Sequence, residues 1–288
     1  MKEDINIKVI IALATLYIAW SSTYLAIRFS LESFPPFFVA GFRYMLVGAG
    51  MYVYLRIQGN PAPSRAQWRD SSIIGAFLLV GGTAGVVYAM QWVGSGTSAL
   101  VIATTPLWTV LFGGMWKQWP QRNEWMGLAL GFSGIVLLNM NGDLRAHPTG
   151  AVLLVLSAAS WSFGSVLSLR MKLPSGMMAS AAQMFSGGLM VLLIGFLSGE
   201  NIPADPPLRA VAALVYLAIF GSLLGYTAYT YLLNNVRPAL ATSYSYVNPA
   251  LAVLLGAWFA DEKITVITIA AMLVILAGVV LVILGQRK

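Results

Sequence analysis

The stretch Thr-Ser-Tyr-Ser-Tyr-Val-Asn-Pro-Ala-Leu-Ala-Val-Leu-Leu-Gly, residues 242–256, decides how the chain is read. It sits in an uncharged apolar run from Leu240 to Phe259, long enough for a helix that crosses a bilayer. Yet Pro249 stands in its middle, where proline removes a backbone hydrogen bond and clashes with the preceding turn, a cost of roughly 3 kcal/mol in a soluble helix. A helix breaker kept at membrane depth calls for a purpose.

The surroundings make lipid the solvent. Of 288 residues, 58% are hydrophobic and only 9% charged, and the mean hydropathy is +0.77; soluble domains carry about 25% charge. There is no Cys, which excludes a disulfide framework, a thiolate metal site and a thiol nucleophile. His147, the single histidine, lies beside Pro148 in a polar connection and reads as an ordinary loop residue. The net charge of +7 is scattered between apolar spans rather than gathered into a patch, which fits a membrane surface and not nucleic acid.

Ten apolar spans can be drawn, at about 9–27, 37–55, 72–92, 97–116, 124–140, 150–169, 177–197, 210–233, 239–259 and 264–284. The fold class expected is therefore all-α and integral to the membrane. Short connections hold most of the Pro, Asp, Arg and Lys. With the N-terminus placed inside, the cytoplasmic segments carry twelve Lys and Arg and the opposite side four (Arg28, Arg145, Arg209 and Lys263). The positive-inside bias thus expects both termini in the cytoplasm. The first span has no small-residue cleavage signal and is followed by others, so it reads as an anchor rather than a signal peptide.

The purpose of Pro249 comes from its twin. In Leu100-Val-Ile-Ala-Thr-Thr-Pro-Leu-Trp-Thr-Val-Leu-Phe-Gly113, a shift of 143 residues puts Pro106 on Pro249, Val110-Leu111 on Val253-Leu254 and Gly113 on Gly256. Upstream, Tyr88 falls on Tyr231 and Gln91 on Asn234. Near a shift of 141, Ala19-Trp20-Ser21 falls on Ser160-Trp161-Ser162. Two halves, 1–146 and 147–288, then carry five spans each. Because five is odd, the second half enters the membrane upside down. Inverted repeats around a midplane site, with one part rocking against the other, are a design of secondary transporters. A proline in the middle of spans 4 and 9 frees a carbonyl and bends a helix where a moving wall needs it, so Pro106 and Pro249 are expected hinges.

These features together resemble a known family. The stretch Tyr17-Ile-Ala-Trp-Ser-Ser-Thr-Tyr24, the Gly41-Phe-Arg-Tyr44 of span 2, the proline-centred spans 4 and 9, and Ala260-Asp-Glu262 are similar to the drug/metabolite transporter superfamily and its ten-span EamA-type exporters. Family members generally have Gly-Glu where this chain has Asp261-Glu262. The resemblance implies a bacterial inner-membrane exporter of small organic solutes, with aromatic amino acids among the candidates.

Trp and Tyr normally belong at membrane interfaces, so aromatics at mid-depth point to a solute path. Trp20 lies eight residues before Arg28, about 12 Å along a helix, and Trp161 nine before Arg170. Tyr17, Trp20, Ser21 and Tyr24 share one face of span 1; Ser157, Ser160, Trp161 and Ser165 share one of span 6. Trp108, Tyr88, Gln91, Tyr229, Tyr231, and the pre-proline Thr105 and Asn248 complete the expected lining. Packing of small and hydroxyl residues is the competing reading of such stripes. Arg43 is the one charge clearly inside a span. It either snorkels about 10 Å to the headgroups or gates the path and holds a carboxylate.

Other classes find no residues. There is no Gly-x-x-x-x-Gly-Lys-Ser/Thr to hydrolyse ATP, no intramembrane nucleophile with its base, and neither a charged ring nor a carbonyl filter for an ion channel. No cofactor is called for. The expected partners are the lipid bilayer and a small-molecule substrate. An exporter of amphipathic drugs or lipid-like solutes is the alternative.

Overall fold

A computed structural model of the chain describes residues 7–116, 119, 122–139, 147–236 and 244–285. Among them there are only helices and their connections. In chain order these are α1 (Ile7–Ser30), α2 (Pro36–Ile57), α3 (Arg65–Ala89), α4 (Ser95–Trp116), α5 (Arg122–Asn139), α6 (Pro148–Ser168), α7 (Met177–Leu197), α8 (Leu208–Leu232, continuing to Asn235), α9 (Tyr244–Phe259) and α10 (Val266–Gly285). Seven of them, α1 to α4 and α6 to α8, are long and apolar enough to cross a bilayer. Shorter apolar runs, Trp125–Leu137, Val247–Phe259 and Val266–Leu281, lie in α5, α9 and α10. Large apolar side chains such as Ile57, Phe196, Leu208 and Val266 are about four-fifths exposed, as a lipid-facing skin requires.

The helices meet in a pattern that repeats after five. α2 packs along α7, and α5 along α10, in the two most extensive interfaces. Meanwhile α1 lies against α8 and α9, and α6 against α3 and α4. Backbone contact at α2–α7 is made possible by glycine. A Cβ on Gly48 would stand 2.3 Å from the Phe185 nitrogen, and one on Gly188 equally close to the Met45 nitrogen. Small residues of this kind are how membrane helices approach without a hydrophobic driving force.

Local chemistry moves the start of one helix from where hydropathy put it and divides another. α3 starts at Arg65, seven residues before the expected 72, because Ser64 and Gln67 form a capping box. This draws Asp70 into the helix. It is 2% exposed and is held by Arg69 Nη2 at 2.8 Å and by the Lys172 backbone N–H at 2.9 Å. α4 is two half-helices, Ser95–Ile102 and Thr105–Gly113, with Pro106 in the first turn of the second. Proline there costs little, since its missing N–H belongs to a turn that lacks partners anyway. Pro249, by contrast, sits inside a continuous helix. Residues 237–243, which include the start of the expected span 9, lie outside the described residues, as do Arg145 and the two ends of the chain.

α3 and α8 share a feature that hydropathy does not register. Each widens into a nine-residue π-helical stretch, Ala76–Ala84 in α3 and Leu217–Gly225 in α8. Such stretches in otherwise regular helices concentrate at functional sites.

Candidate functional site: a central cavity

The two π-stretches receive the two mid-depth tryptophans. Trp20 Nε1 on α1 donates to the Gly221 carbonyl of α8 at 3.2 Å. On the other side, Trp161 of α6 lies against Gly82 of α3, and Ser160 Oγ donates to the Phe77 carbonyl at 2.7 Å. Glycine at each point is a matter of space: a Cβ on Gly225 would stand 2.4 Å from Trp20 Nε1. A π-turn widens the helix and presents carbonyls sideways, so a neighbour's N–H or O–H can be satisfied within the apolar interior.

The tryptophans meet edge to face, ring centres 5.8 Å apart, in a geometry aromatic pairs favour. Tyr229 lies 5.2 Å from Trp20 and 6.0 Å from Trp161, and Tyr244 lies 4.9 Å from Trp20. Beside this cluster opens a cavity of ≈ 100 Å³. Its walls come from α1 (Trp20, Thr23, Tyr24, Ile27), α2 (Arg43, Tyr44), α3 (Gly82, Thr83, Val86), α4 (Ile102, Thr105), α6 (Ser157, Trp161), α8 (Gly221) and α9 (Tyr244, Asn248). Among the described residues no carboxylate lines it.

Seven of the residues singled out in the sequence therefore meet on one wall system: Trp20, Tyr24, Arg43, Thr105, Ser157, Trp161 and Asn248. Thr105 settles the carbonyl freed by Pro106. The N–H that would have bonded Ile102 O is missing, and Thr105 Oγ1 takes its place at 2.6 Å. Ser162 Oγ then reaches the Thr105 carbonyl at 2.8 Å. Asn248, just before Pro249, has its Oδ1 2.9 Å from Ser21 Oγ; that hydroxyl is also 2.5 Å from Tyr17 O, and its single proton serves one of the two. Arg43 does not snorkel. It is 2% exposed, its guanidinium lies 4.6 Å from the Tyr44 ring centre, and it faces the cavity.

The others lie elsewhere. Tyr229 packs against the Trp161 ring at 6.0 Å, and Ser165 Oγ donates to the Trp161 carbonyl at 2.8 Å. Tyr231 packs into the apolar cluster around Leu232. Trp108 is turned away, against Phe132 at 4.9 Å and Phe112 at 6.1 Å. Tyr88 stacks on Phe37 at 5.1 Å near the end of α3. Gln91, past that end, folds its amide onto Tyr88 O at 3.0 Å and borders a separate polar recess with Arg28 and Arg209. Residues that the sequence reading passed over are Tyr44, adjacent to Arg43, Thr23, one turn beyond Trp20, and Tyr244, one turn before Asn248. Each lay within one helical turn of a residue that was chosen, which was the available signal.

Two glutamates close the Arg28 end. Glu200, after α7, accepts from the N–H groups of Phe37 and Phe38 at 2.8 and 2.9 Å and so caps α2. Glu262, after α9, does the same for α4 through Ser95 and Gly96 at 2.6 and 2.9 Å. Negative charge at a helix N-terminus is the favourable pairing.

A cavity reached by seven helices, walled by aromatics and hydroxyls and bordered by the residues that precede two prolines, is suited to hold a solute. Comparison with known proteins agrees. The sequence pattern of the EamA-like transporter family matches residues 7–140 and again residues 148–284. The chain belongs to the EamA-like transporter family. Among curated relatives, an uncharacterised inner membrane transporter, YedA of Escherichia coli K12, is 42% identical over 96% of this chain and 90% of its own. The protein PecM of Dickeya dadantii is 28% identical over 91% and 88% respectively. A solved crystal structure covers 97% of this EamA-like chain and 99% of its own with a TM-score of 0.68 at 20% identity, a likeness of fold alone. The family and YedA are described as transporters and not as enzymes.

Proposed function

We propose that this EamA-like transporter is a bacterial inner-membrane exporter of small organic solutes, aromatic amino acids or related metabolites, working by alternating access between two inverted five-helix halves, 1–146 and 147–288. The central cavity carries the reading. It lies where α1 crosses onto α8 and α9 and where α6 crosses onto α3 and α4, so rocking one set of helices against the other alters access to it from both sides. The double match of the family pattern supports two related halves. Aromatic walls suit a planar side chain, and the adjoining hydroxyls suit its polar end. The charge bias of the connections supports both termini in the cytoplasm.

The direct test is uptake of radiolabelled tryptophan and phenylalanine into proteoliposomes, run beside a panel of amphipathic dyes. Amino-acid movement above protein-free vesicles is the expected result. Movement of the dyes alone would replace this reading with the drug-exporter alternative.

A further inference from the structure

The position of Arg43 goes beyond that reading and narrows its substrate. A guanidinium inside a membrane bundle is costly unless a countercharge and hydrogen-bond acceptors surround it. Arg43 is 2% exposed, and its Nε has no hydrogen-bond partner among the described residues. The described carboxylates nearest in kind are engaged elsewhere: Glu200 and Glu262 cap helices, Asp70 is bound by Arg69, and Glu32 pairs with Arg209. Ion pairs among the described residues do not include Arg43. Its one recorded neighbour of opposite electrostatic sense is the face of Tyr44.

The space around the group is shaped for it. Gly221, in the π-stretch of α8, leaves room that a side chain would take; a Cβ there would stand 3.0 Å from Arg43 Nη1. Ser157 Oγ, also on the cavity wall, is buried without a partner. The cavity thus offers a planar cationic fork and an unused hydroxyl, next to the Trp20 and Trp161 rings, and no anion of its own. A carboxylate matches a guanidinium fork through two parallel N–H···O bonds. An amine would enter a site that already holds an unpaired positive charge.

We propose that Arg43 is the counter-charge for a carboxylate carried by the transported solute, so that the protein selects acids and zwitterions that bear a ring and rejects the corresponding amines. The proposal rests on the exporter reading for its site, and its own claim is the carboxylate.

Calorimetric titration of the purified, full-length protein with four probes tests it: indole-3-propionate, tryptophan, tryptamine and indole. Wild type is expected to bind the two carboxylates and to bind tryptamine and indole at least roughly ten-fold more weakly. Arg43→Gln should lose carboxylate affinity by roughly ten- to a hundred-fold while indole binding is unmoved, and Arg43→Lys should recover part of the loss. Equal binding of tryptamine and indole-3-propionate by wild type overturns the proposal, as does full carboxylate affinity in Arg43→Gln. Should Arg43→Gln fail to fold, Gly221→Ala, which crowds Nη1, is expected to weaken the two acids selectively, and unchanged acid binding there overturns it equally. The two readings part cleanly. Arg43-dependent binding of indole-3-propionate without amino-acid transport keeps the carboxylate site and removes the amino-acid assignment. Tryptophan transport by Arg43→Gln at the wild-type rate keeps the exporter and removes the site.

Discussion

Trp20 donates its indole N–H to the carbonyl of Gly221, 201 positions later in the chain, at 3.2 Å. The bond ties the first helix to the π-stretch of the eighth, and through it the cavity wall is fixed by contact between the two halves of the chain. Trp20→Phe keeps the ring and removes the donor, leaving a π-turn carbonyl facing apolar surroundings. It is expected to cost about 1–3 kcal/mol of stability and to slow transport, whereas Trp20→Ala should abolish it. Thermal unfolding in detergent and initial transport rates check both. Wild-type rates in well-expressed Trp20→Ala and Trp161→Ala would remove the tryptophans from the solute path.

A methyl group at Gly225 has nowhere to go. Its Cβ would stand 2.4 Å from Trp20 Nε1, so either the indole swings into the cavity or α8 moves outward. Gly225→Ala is expected to destabilise by about 1–3 kcal/mol through overpacking and to lower solute affinity as the ring invades the space. Comparison with Gly50→Ala, where a Cβ would meet nothing within 4 Å, supplies the control. Equal behaviour of the two variants would show that the π-stretch is not a close seat for Trp20.

Particular elements explain what could be read in the sequence. The shared face of Trp20 and Tyr24 was legible because aromatic and hydroxyl residues at i, i+3, i+4 spacing are rare in an otherwise uniform apolar helix. Trp108 was misread for the converse reason. Span 4 is apolar all round, so sequence fixes its depth but not its rotation, and packing turned the ring toward Phe132. Tyr88 and Gln91 were placed in the lining through their repeat partners Tyr231 and Asn234, whereas Tyr88 stands at the end of α3, which stops at Ala89, and Gln91 lies past it. The π-stretches left no trace at all, since no residue type marks a change from four-residue to five-residue hydrogen bonding. Arg43 stood open between two readings, because reach along a helix cannot tell which way a flexible side chain turns.

Glu262 reaches from the α9–α10 connection to the N-terminus of α4, joining the two proline-bearing helices at one end of the cavity. Glu262→Gln keeps the shape and loses the charge. It is expected to lower stability by about 1–3 kcal/mol and to raise the accessibility of Gly96→Cys to a membrane-impermeant thiol reagent. Glu200→Gln, whose cap lies on α2, should match it in stability but leave Gly96→Cys labelling at the background level. Equal labelling in all three proteins would mean that Glu262 is a cap and not a latch.

Pro106 begins the second half of α4, with Thr105 Oγ1 standing in for the missing N–H at Ile102 O. Pro106→Ala restores that N–H and lets the halves fuse into one helix. Stability should rise only slightly, since proline in a first turn costs little and the Ile102 carbonyl already has a partner, while turnover falls, because a continuous helix has no place to bend. Unfolding temperature and transport rate, measured on the same preparation, decide it. Higher stability with unchanged turnover would make the break an incident of packing. Thr105→Val, which removes the substitute donor, should lower stability instead.

Energy coupling follows from what lines the cavity. A proton-coupled exporter generally carries an Asp, Glu or His within the bundle that changes charge as access changes. The cavity walls hold Arg43, tyrosines, hydroxyls and one amide, with no carboxylate and no histidine among the described residues. Arginine stays charged at any working pH, and tyrosine titrates near 10 in its unperturbed state. Four described carboxylates are committed away from the cavity, Asp70 to Arg69 and Lys172, Glu32 to Arg209, Glu200 to α2 and Glu262 to α4. A sodium ion would need a cage of oxygens, and the carbonyl that Pro106 frees, Ile102 O, already accepts from Thr105 Oγ1. The expected behaviour is therefore movement of solute down its own gradient, as suits discharge of an excess metabolite. Proteoliposomes loaded with labelled tryptophan, with and without an imposed pH or sodium gradient, provide the measurement. Equal initial rates and an endpoint set by equal concentrations inside and out are the expected result. Uphill accumulation under either gradient would place a coupling ion in the cycle and direct the search to the carboxylates at the helix ends.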